Sequence, residues 1–194
     1  MRPGSILVIG YGNDLRGDDA AGRCAAARVA AWELPAVRVL SLHQLTPELA
    51  DPLVAASRAI FLDAHLASDN AAVRVRRVHP AMTATRLAHA GDPQGLLQLT
   101  RTAFGRSPET WWITIPAADF TFGAPLSALT ARGITDALTA IRPLLEPRRP
   151  APDAVAERER NAPQPGPTSQ RPAPGGLVID GTRAHRRNAG CPTR

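Results

Sequence analysis

The chain has 194 residues, 44% of them hydrophobic, which is enough to bury one sizeable core, so we expect a single domain plus any tails. The longest apolar stretches are strand-sized and the first residues lack the apolar run of a signal peptide, so we expect a soluble, cytoplasmic protein without a membrane partner. The absence of lysine excludes a Walker phosphate loop, and the spacing of Cys24 and Cys191 argues against a structural zinc site or a disulfide framework.

The positive charge is concentrated near the C-terminus. The net charge is +6, but residues 1–147 hold 14 arginines against 13 acidic residues, whereas residues 148–194 hold 9 arginines against 4. Beyond Glu146 the sequence is rich in proline, alanine and charge, and such a segment cannot bury enough apolar surface to offset its ordering entropy. We therefore predict a domain over residues 1–146 and a disordered, proline- and arginine-rich tail over residues 147–194. The low aromatic content of 4% argues against a nucleic-acid partner.

Strands and helices alternate through the predicted domain. Ile6–Gly10 is a continuous apolar run, typical of a strand covered on both faces, and an alanine-rich helix follows from Asp18 to Trp32. Val73–Val78 alternates apolar residues with arginine, which predicts an edge strand. The other predicted elements are strands at 37–42, 59–63 and 111–115, a short helix starting near residue 47, and helices at 93–102 and 126–145. This order predicts an α/β fold in which helices flank a mostly parallel, twisted sheet.

The turn after the first strand is rich in glycine and acid. Its glycine spacing, GxGxxxxG, differs from the GxGxxG of dinucleotide-binding proteins. Asp14, Asp18 and Asp19 would stand where a phosphate must lie, and like charges at such range repel. The turn therefore favours a cation or a metal-bearing partner over a nucleotide.

Three chemically compatible residues are predicted to share one edge of the sheet. Asp19 follows the first strand and Asp63 ends the third, and the carboxyl ends of parallel strands lie at the same edge. His89, in a loop just ahead of a helix, could reach that edge as well. Two carboxylates and an imidazole are ligands suited to a borderline divalent metal with coordination positions left open.

Each of these residues also has an ordinary structural explanation. Asp18 or Asp19 could stabilise the helix N-terminus, Asp63 could cap the following turn, and His89 could be a simple loop histidine. Other catalytic templates are absent, since the chain has no HExxH and no GxSxG, and Cys24 lies in the alanine-rich helix.

Several stretches occur together in the order and spacing of one known family. They are ILVIGYGNDLRGDDAAG, HQLTPELA, AIFLDA, a histidine followed by a proline and LLQL, and FTFGAPLS. In these stretches, over about residues 5–145, the chain resembles the nickel-iron hydrogenase maturation endopeptidases. The tail is not part of the resemblance.

The resemblance implies an activity and a partner. It implies an α/β endopeptidase that removes a C-terminal peptide from the precursor of the hydrogenase large subunit after nickel insertion. By motif, the metal-contacting residues are Asp19, Asp63 and His89, which would recognise nickel carried by the substrate rather than bind it permanently. Cleavage could be of an aspartyl or a metal-assisted type with Asp19 or Asp63 as general base, and the sequence does not select between these.

Two departures from the family pattern and one alternative function accompany the resemblance. Asp19 stands where relatives often have glutamate, and Ala20 where glycine is usual. A non-cleaving chaperone that checks nickel in the large subunit is the alternative function.

Overall fold

The computed structural model of the chain describes residues 5–67, 71–81 and 92–146. Predicted metal ligand His89 and the whole predicted tail, residues 147–194, lie outside the described residues. The domain boundary after residue 146 therefore stays a prediction.

In the part of the chain that the structure describes, five strands form one sheet, which confirms the predicted α/β class. They are β1 (Ile6–Tyr11), β2 (Val37–Leu42), β3 (Arg58–Leu66), β4 (Arg74–Val78) and β5 (Glu109–Ala117). Their order across the sheet is β2-β1-β3-β5-β4, and only β4 runs antiparallel to its neighbour. The arginine-bearing strand lies at the edge of the sheet, as its alternating pattern predicts.

Within the described ranges, four α-helices cover the two faces of the sheet. They are α1 (Ala21–Ala30), α2 (Ala50–Ala55), α3 (Pro93–Phe104) and α4 (Ala128–Ile141). The predicted first helix is shorter than expected, because residues 17–20 form a 3-10 turn ahead of α1. Helix α3 begins at Pro93 as predicted, and the Asp92 side chain caps it by accepting a hydrogen bond from the backbone N–H of Gln94 at 3.0 Å. Within the described residues, no helix is long and apolar enough to cross a membrane.

Alternate residues of the strands build a core on each side of the sheet. Helices α1 and α4 pack on the face that carries Val8, Ile60 and Ile113. Helices α2 and α3 pack on the face that carries Ile9 and Phe61. All six residues of β1 are buried, because this central strand is covered on both faces.

Two glycines bring α1 into backbone contact with the sheet. A Cβ atom on Gly22 would lie 2.3 Å from the carbonyl oxygen of Leu62 and 2.5 Å from that of Tyr11. A Cβ atom on Gly10 would lie 2.2 Å from the carbonyl oxygen of Gly22. Because no larger residue fits, the start of α1 rests directly on the end of β1 and the middle of β3, and the acidic turn before it is held over the carboxyl edge of β1.

Candidate active site

The acidic turn, residues 12–19, holds Asp19 through its own backbone. Gly12 has a φ of +138°, and a Cβ atom there would lie 1.9 Å from the carbonyl oxygen of Asp19. The backbone N–H of Asn13 donates to Oδ2 of Asp19 at 3.1 Å, and Oδ1 of Asn13 accepts from the N–H of Leu15 at 2.9 Å. The glycine and asparagine thus fold the turn around a partly buried Asp19 carboxylate.

Asp18, the neighbouring acid, has a structural role. Its side chain is fully buried and accepts hydrogen bonds from the backbone N–H groups of Ala118, Asp119 and Ser127 and from the Ser127 hydroxyl, at 2.7–3.0 Å. Burial alone would raise its pKa, but these donors outweigh burial and lower it to about 2. Asp18 therefore connects the acidic turn to the loop between β5 and α4. Stabilising a helix N-terminus would not account for these four hydrogen bonds.

Asp63 lies inside β3 rather than at its end, so the predicted strand boundary was wrong. The pairing of β3 with β1 runs only to Gly10 and Leu62, whereas the pairing with β5 continues from Asp63 to Leu66. Strand β3 is longer than its apolar run because β5 keeps supplying hydrogen-bond partners after β1 has ended. Asp63 nevertheless lies at the carboxyl edge of β1, one residue past the last β1–β3 pair.

The carboxylate of Asp63 is held by two donors in a largely desolvated position. The hydroxyl of Tyr11 donates to Oδ2 at 2.8 Å, and the backbone N–H of Ala64 donates to Oδ1 at 2.8 Å. Burial raises the pKa of Asp63 to about 6; the two hydrogen bonds oppose this shift, and the negative charge of Asp19 adds to it. The contribution from Asp19 shows that the two carboxylates are near enough to interact.

Tyr11 is the buried partner in this arrangement. It is 7% exposed, and its ring meets that of Phe61 edge to face, with centroids 6.5 Å apart and planes at 81°. Burial raises its pKa well above the ordinary range, and the charges of Asp63 and Asp92 raise it further, while Arg76 lowers it. Asp92, the capping residue of α3, therefore brings the start of that helix close to the same site.

Two of the three predicted site residues are thus brought together. Asp19 and Asp63 lie where the strand order reverses, since the chain passes from β1 to β2 on one side and to β3 on the other. Ligands of open α/β sheets bind at such a switch point. His89 lies outside the described residues, and within the described ranges no group of three or more His, Cys, Asp or Glu side chains could hold a metal ion.

Two other histidines border this edge. Nη1 of Arg23 lies 3.3 Å from Nδ1 of His43 and forms an ion pair with Asp14 at 2.7 Å. His65 is on the same face of β3 as Asp63, and burial together with the charge of Arg74 lowers its pKa. Neither histidine was assigned a role from the sequence.

Sequence reasoning missed Tyr11 and the anchoring function of Asp18. Tyr11 is the last residue of β1, and its contact with Asp63 joins residues 52 positions apart. The sequence feature that could have revealed this contact is a tyrosine at the end of an otherwise apolar strand. A buried tyrosine hydroxyl needs a hydrogen-bond partner.

Comparison with known proteins identifies the fold. No protein-family model matches the chain, and no curated protein matches its sequence. Among solved structures, HybD from Thermococcus kodakarensis, a [NiFe] hydrogenase maturation protease, matches with a TM-score of 0.57 and 21% identity over 73% of this chain and 99% of that one. The maturating endopeptidase HybD from E. coli matches with a TM-score of 0.59 and 20% identity, covering 73% of this chain and 91% of that chain. The protease HycI from T. kodakarensis KOD1 matches with a TM-score of 0.60 and 18% identity, covering 73% and 92%.

These matches identify the fold of the chain. The chain has the fold of the [NiFe] hydrogenase maturation proteases, as its sequence resemblance predicts. At about 20% identity the likeness concerns the fold alone. The chemistry of the site is therefore argued from its own residues, the carboxylates of Asp19 and Asp63, and burial raises the pKa of Asp63 to about 6.

Proposed function

We propose that this chain is an endopeptidase that removes a C-terminal peptide from the precursor of a nickel-iron hydrogenase large subunit after nickel insertion. The observation that carries the proposal is that the partly buried carboxylate of Asp63 lies within reach of the charge of Asp19 at the switch point of a fold shared with hydrogenase maturation proteases. Single acids at helix starts and strand ends are common, but two of them interacting at this place suit a binding site.

The nickel in this proposal belongs to the substrate. Carboxylate oxygens and an imidazole nitrogen are ligands that a borderline divalent metal accepts, and a metal already held by the precursor needs only a few more. Asp19 and Asp63 supply the oxygens, and His89 is proposed as the nitrogen ligand. Asp92 is three residues from His89, so the covalent chain limits the separation of their Cα atoms to roughly 11 Å.

The proposed chemistry assigns Asp63 two possible tasks that need the same protonation state. Both tasks, binding a cation and accepting a proton from water, need the ionised carboxylate, and in the free protein burial raises the pKa of Asp63 to about 6, so both are favoured above that pH. A divalent metal near the scissile bond would polarise the carbonyl group. The proposal is therefore a peptidase whose activity rises with pH through about 6, in the cytoplasm, with the large-subunit precursor as its partner.

The test is a cleavage assay on purified large-subunit precursor, prepared with and without nickel, in which the shortened product is resolved by gel electrophoresis. Wild-type protein is expected to cut the nickel-loaded precursor and to leave the nickel-free one intact. Replacing Asp19 or Asp63 by Asn, or His89 by Ala, is expected to slow cleavage about 100-fold or more. Asp14→Asn is the matched control, because Asp14 is an exposed acid of the same turn that pairs with Arg23.

The other outcomes separate the competing functions. Binding of the precursor without shortening would support the non-cleaving, nickel-checking chaperone. Equal cutting of both precursors, or near-normal cleavage by all three site variants, would refute the assignment. Stoichiometric zinc in the purified protein would point instead to an ordinary metalloprotease.

A further inference from the structure

The single tyrosine of the chain has no role in the function proposed above. Tyr11 is 7% exposed and belongs to the hydrophobic core beneath α2 and α3. A leucine or phenylalanine would satisfy that position by packing alone, as Leu7 and Ile9 do on the same face of β1. The hydroxyl therefore needs an explanation of its own.

That hydroxyl is committed to one oxygen of Asp63. It donates to Oδ2 at 2.8 Å, while Oδ1 accepts from the backbone N–H of Ala64 at 2.8 Å. Each oxygen keeps a lone pair, and the two donors on different sides fix the rotation of the carboxylate. The tyrosine ring is itself held by the edge-to-face contact with Phe61 and by the surrounding core.

We infer that Tyr11 is a positioning residue, whose hydroxyl fixes the carboxylate of Asp63 so that its free lone pairs face the carboxyl edge that Asp19 shares. The inference rests on the proposed function. Partners that orient a metal-binding or catalytic carboxylate typically contribute 10- to 100-fold to activity without touching the substrate. Tyr11 touches no substrate itself and acts through Asp63, so its loss is expected to weaken whatever Asp63 does for the precursor, in binding its nickel or in cleavage.

The first test is independent of any activity. Because the chain contains one tyrosine, protein labelled with ¹³C at the tyrosine Cζ gives a single NMR signal that needs no assignment. Asp63→Asn replaces the charged acceptor by a neutral amide and is expected to move that signal by more than its linewidth, whereas Asp14→Asn is expected to leave it in place. A signal that keeps its position in Asp63→Asn would show that the hydrogen bond is not made in solution and would overturn the inference.

The second test measures cleavage of nickel-loaded precursor by Tyr11→Phe, which keeps the ring and removes only the hydroxyl. We expect kcat/KM to fall about 10-fold or more, because the hydroxyl orients a carboxylate that is proposed to contact the nickel of the precursor. Ser57→Ala is the matched control, because the Ser57 hydroxyl also donates one 2.8 Å hydrogen bond, to the carbonyl of Ser5 at the opposite end of β3. The control is expected to cleave at the wild-type rate, although it loses a comparable bond.

The outcomes distinguish this inference from the function on which it rests. A normal kcat/KM for Tyr11→Phe with an active wild type would overturn the positioning role and leave the proposed function standing. A folded wild type that leaves the precursor intact would overturn the proposed function, and the tyrosine signal would still decide whether Tyr11 holds Asp63.

Discussion

Replacing Asp63 by asparagine is expected to stabilise the fold above pH 6 while abolishing the proposed activity. The side chain is partly buried, and burial raises the pKa of its carboxyl from 3.8 to about 6. Ionising Asp63 in the folded protein therefore costs more than ionising it in the unfolded chain. Asparagine has nearly the same shape and carries no charge. Its amide oxygen can accept from the backbone N–H of Ala64 while its NH2 group donates to the hydroxyl oxygen of Tyr11.

The sign and size of the effect follow from linkage. Between pH 3.8 and about 6 the folded protein holds a proton on Asp63 that the unfolded chain has lost, so the free energy of unfolding falls as pH rises. The stabilising contribution is complete below pH 3.8 and is lost above about 6. A shift of about two units corresponds to about 3 kcal/mol, and partial solvent exposure reduces this to about 2 kcal/mol.

The assay is urea unfolding of wild type and Asp63→Asn at half-unit steps from pH 4 to pH 8. The variant is expected to match wild type near pH 4 and to exceed its free energy of unfolding by about 2 kcal/mol at pH 7 and above. A variant that is less stable than wild type at pH 8, or a difference that does not change with pH, would refute the reasoning.

Asp18→Asn is the control, because this substitution is expected to change the free energy of unfolding in the opposite direction. Four donors lower the pKa of Asp18 from 3.8 to about 2, so its contribution to stability is present above pH 3.8 and is lost as pH falls through about 2. The variant is expected to be less stable than wild type by at least about 2 kcal/mol throughout pH 4–8. Besides losing the charge, it points the NH2 group of the asparagine amide at backbone N–H groups, which are donors themselves.

Two further predictions concern the packing of α1 and the domain boundary. Gly22→Ala is expected to reduce the free energy of unfolding by about 3 kcal/mol in urea titrations, since its Cβ would lie 2.3 Å from the Leu62 carbonyl oxygen; a wild-type midpoint would contradict the close approach of α1 to the sheet. A chain ending at Pro147 is expected to keep its thermal midpoint within ~2 °C and its cleavage of precursor, and failure of this shortened chain to fold would show that the predicted boundary is wrong.

Local sequence pattern determined the order and type of the elements. Strand β2 lies at Val37–Leu42 as predicted, because an isolated apolar stretch between turn residues has few alternatives. The arginine alternation of β4 predicts an edge strand, and the structure confirms it. Asp63 lies at the carboxyl edge of β1 and the charge of Asp19 raises its pKa, as expected where the carboxyl ends of parallel strands share one edge; the metal-binding and catalytic roles of the two residues stay predictions.

Only the tertiary structure decided where β3 ends and what each acid does. Strand β3 runs past Asp63 to Leu66 because β5 pairs with it there, and that register cannot be read from β3 alone. Asp18 finds its donors about 100 residues away, and Tyr11 finds Asp63 at a separation of 52. Local patterns reflect neighbours along the chain, whereas a buried polar group is satisfied by whatever the packed fold brings within 3 Å of it.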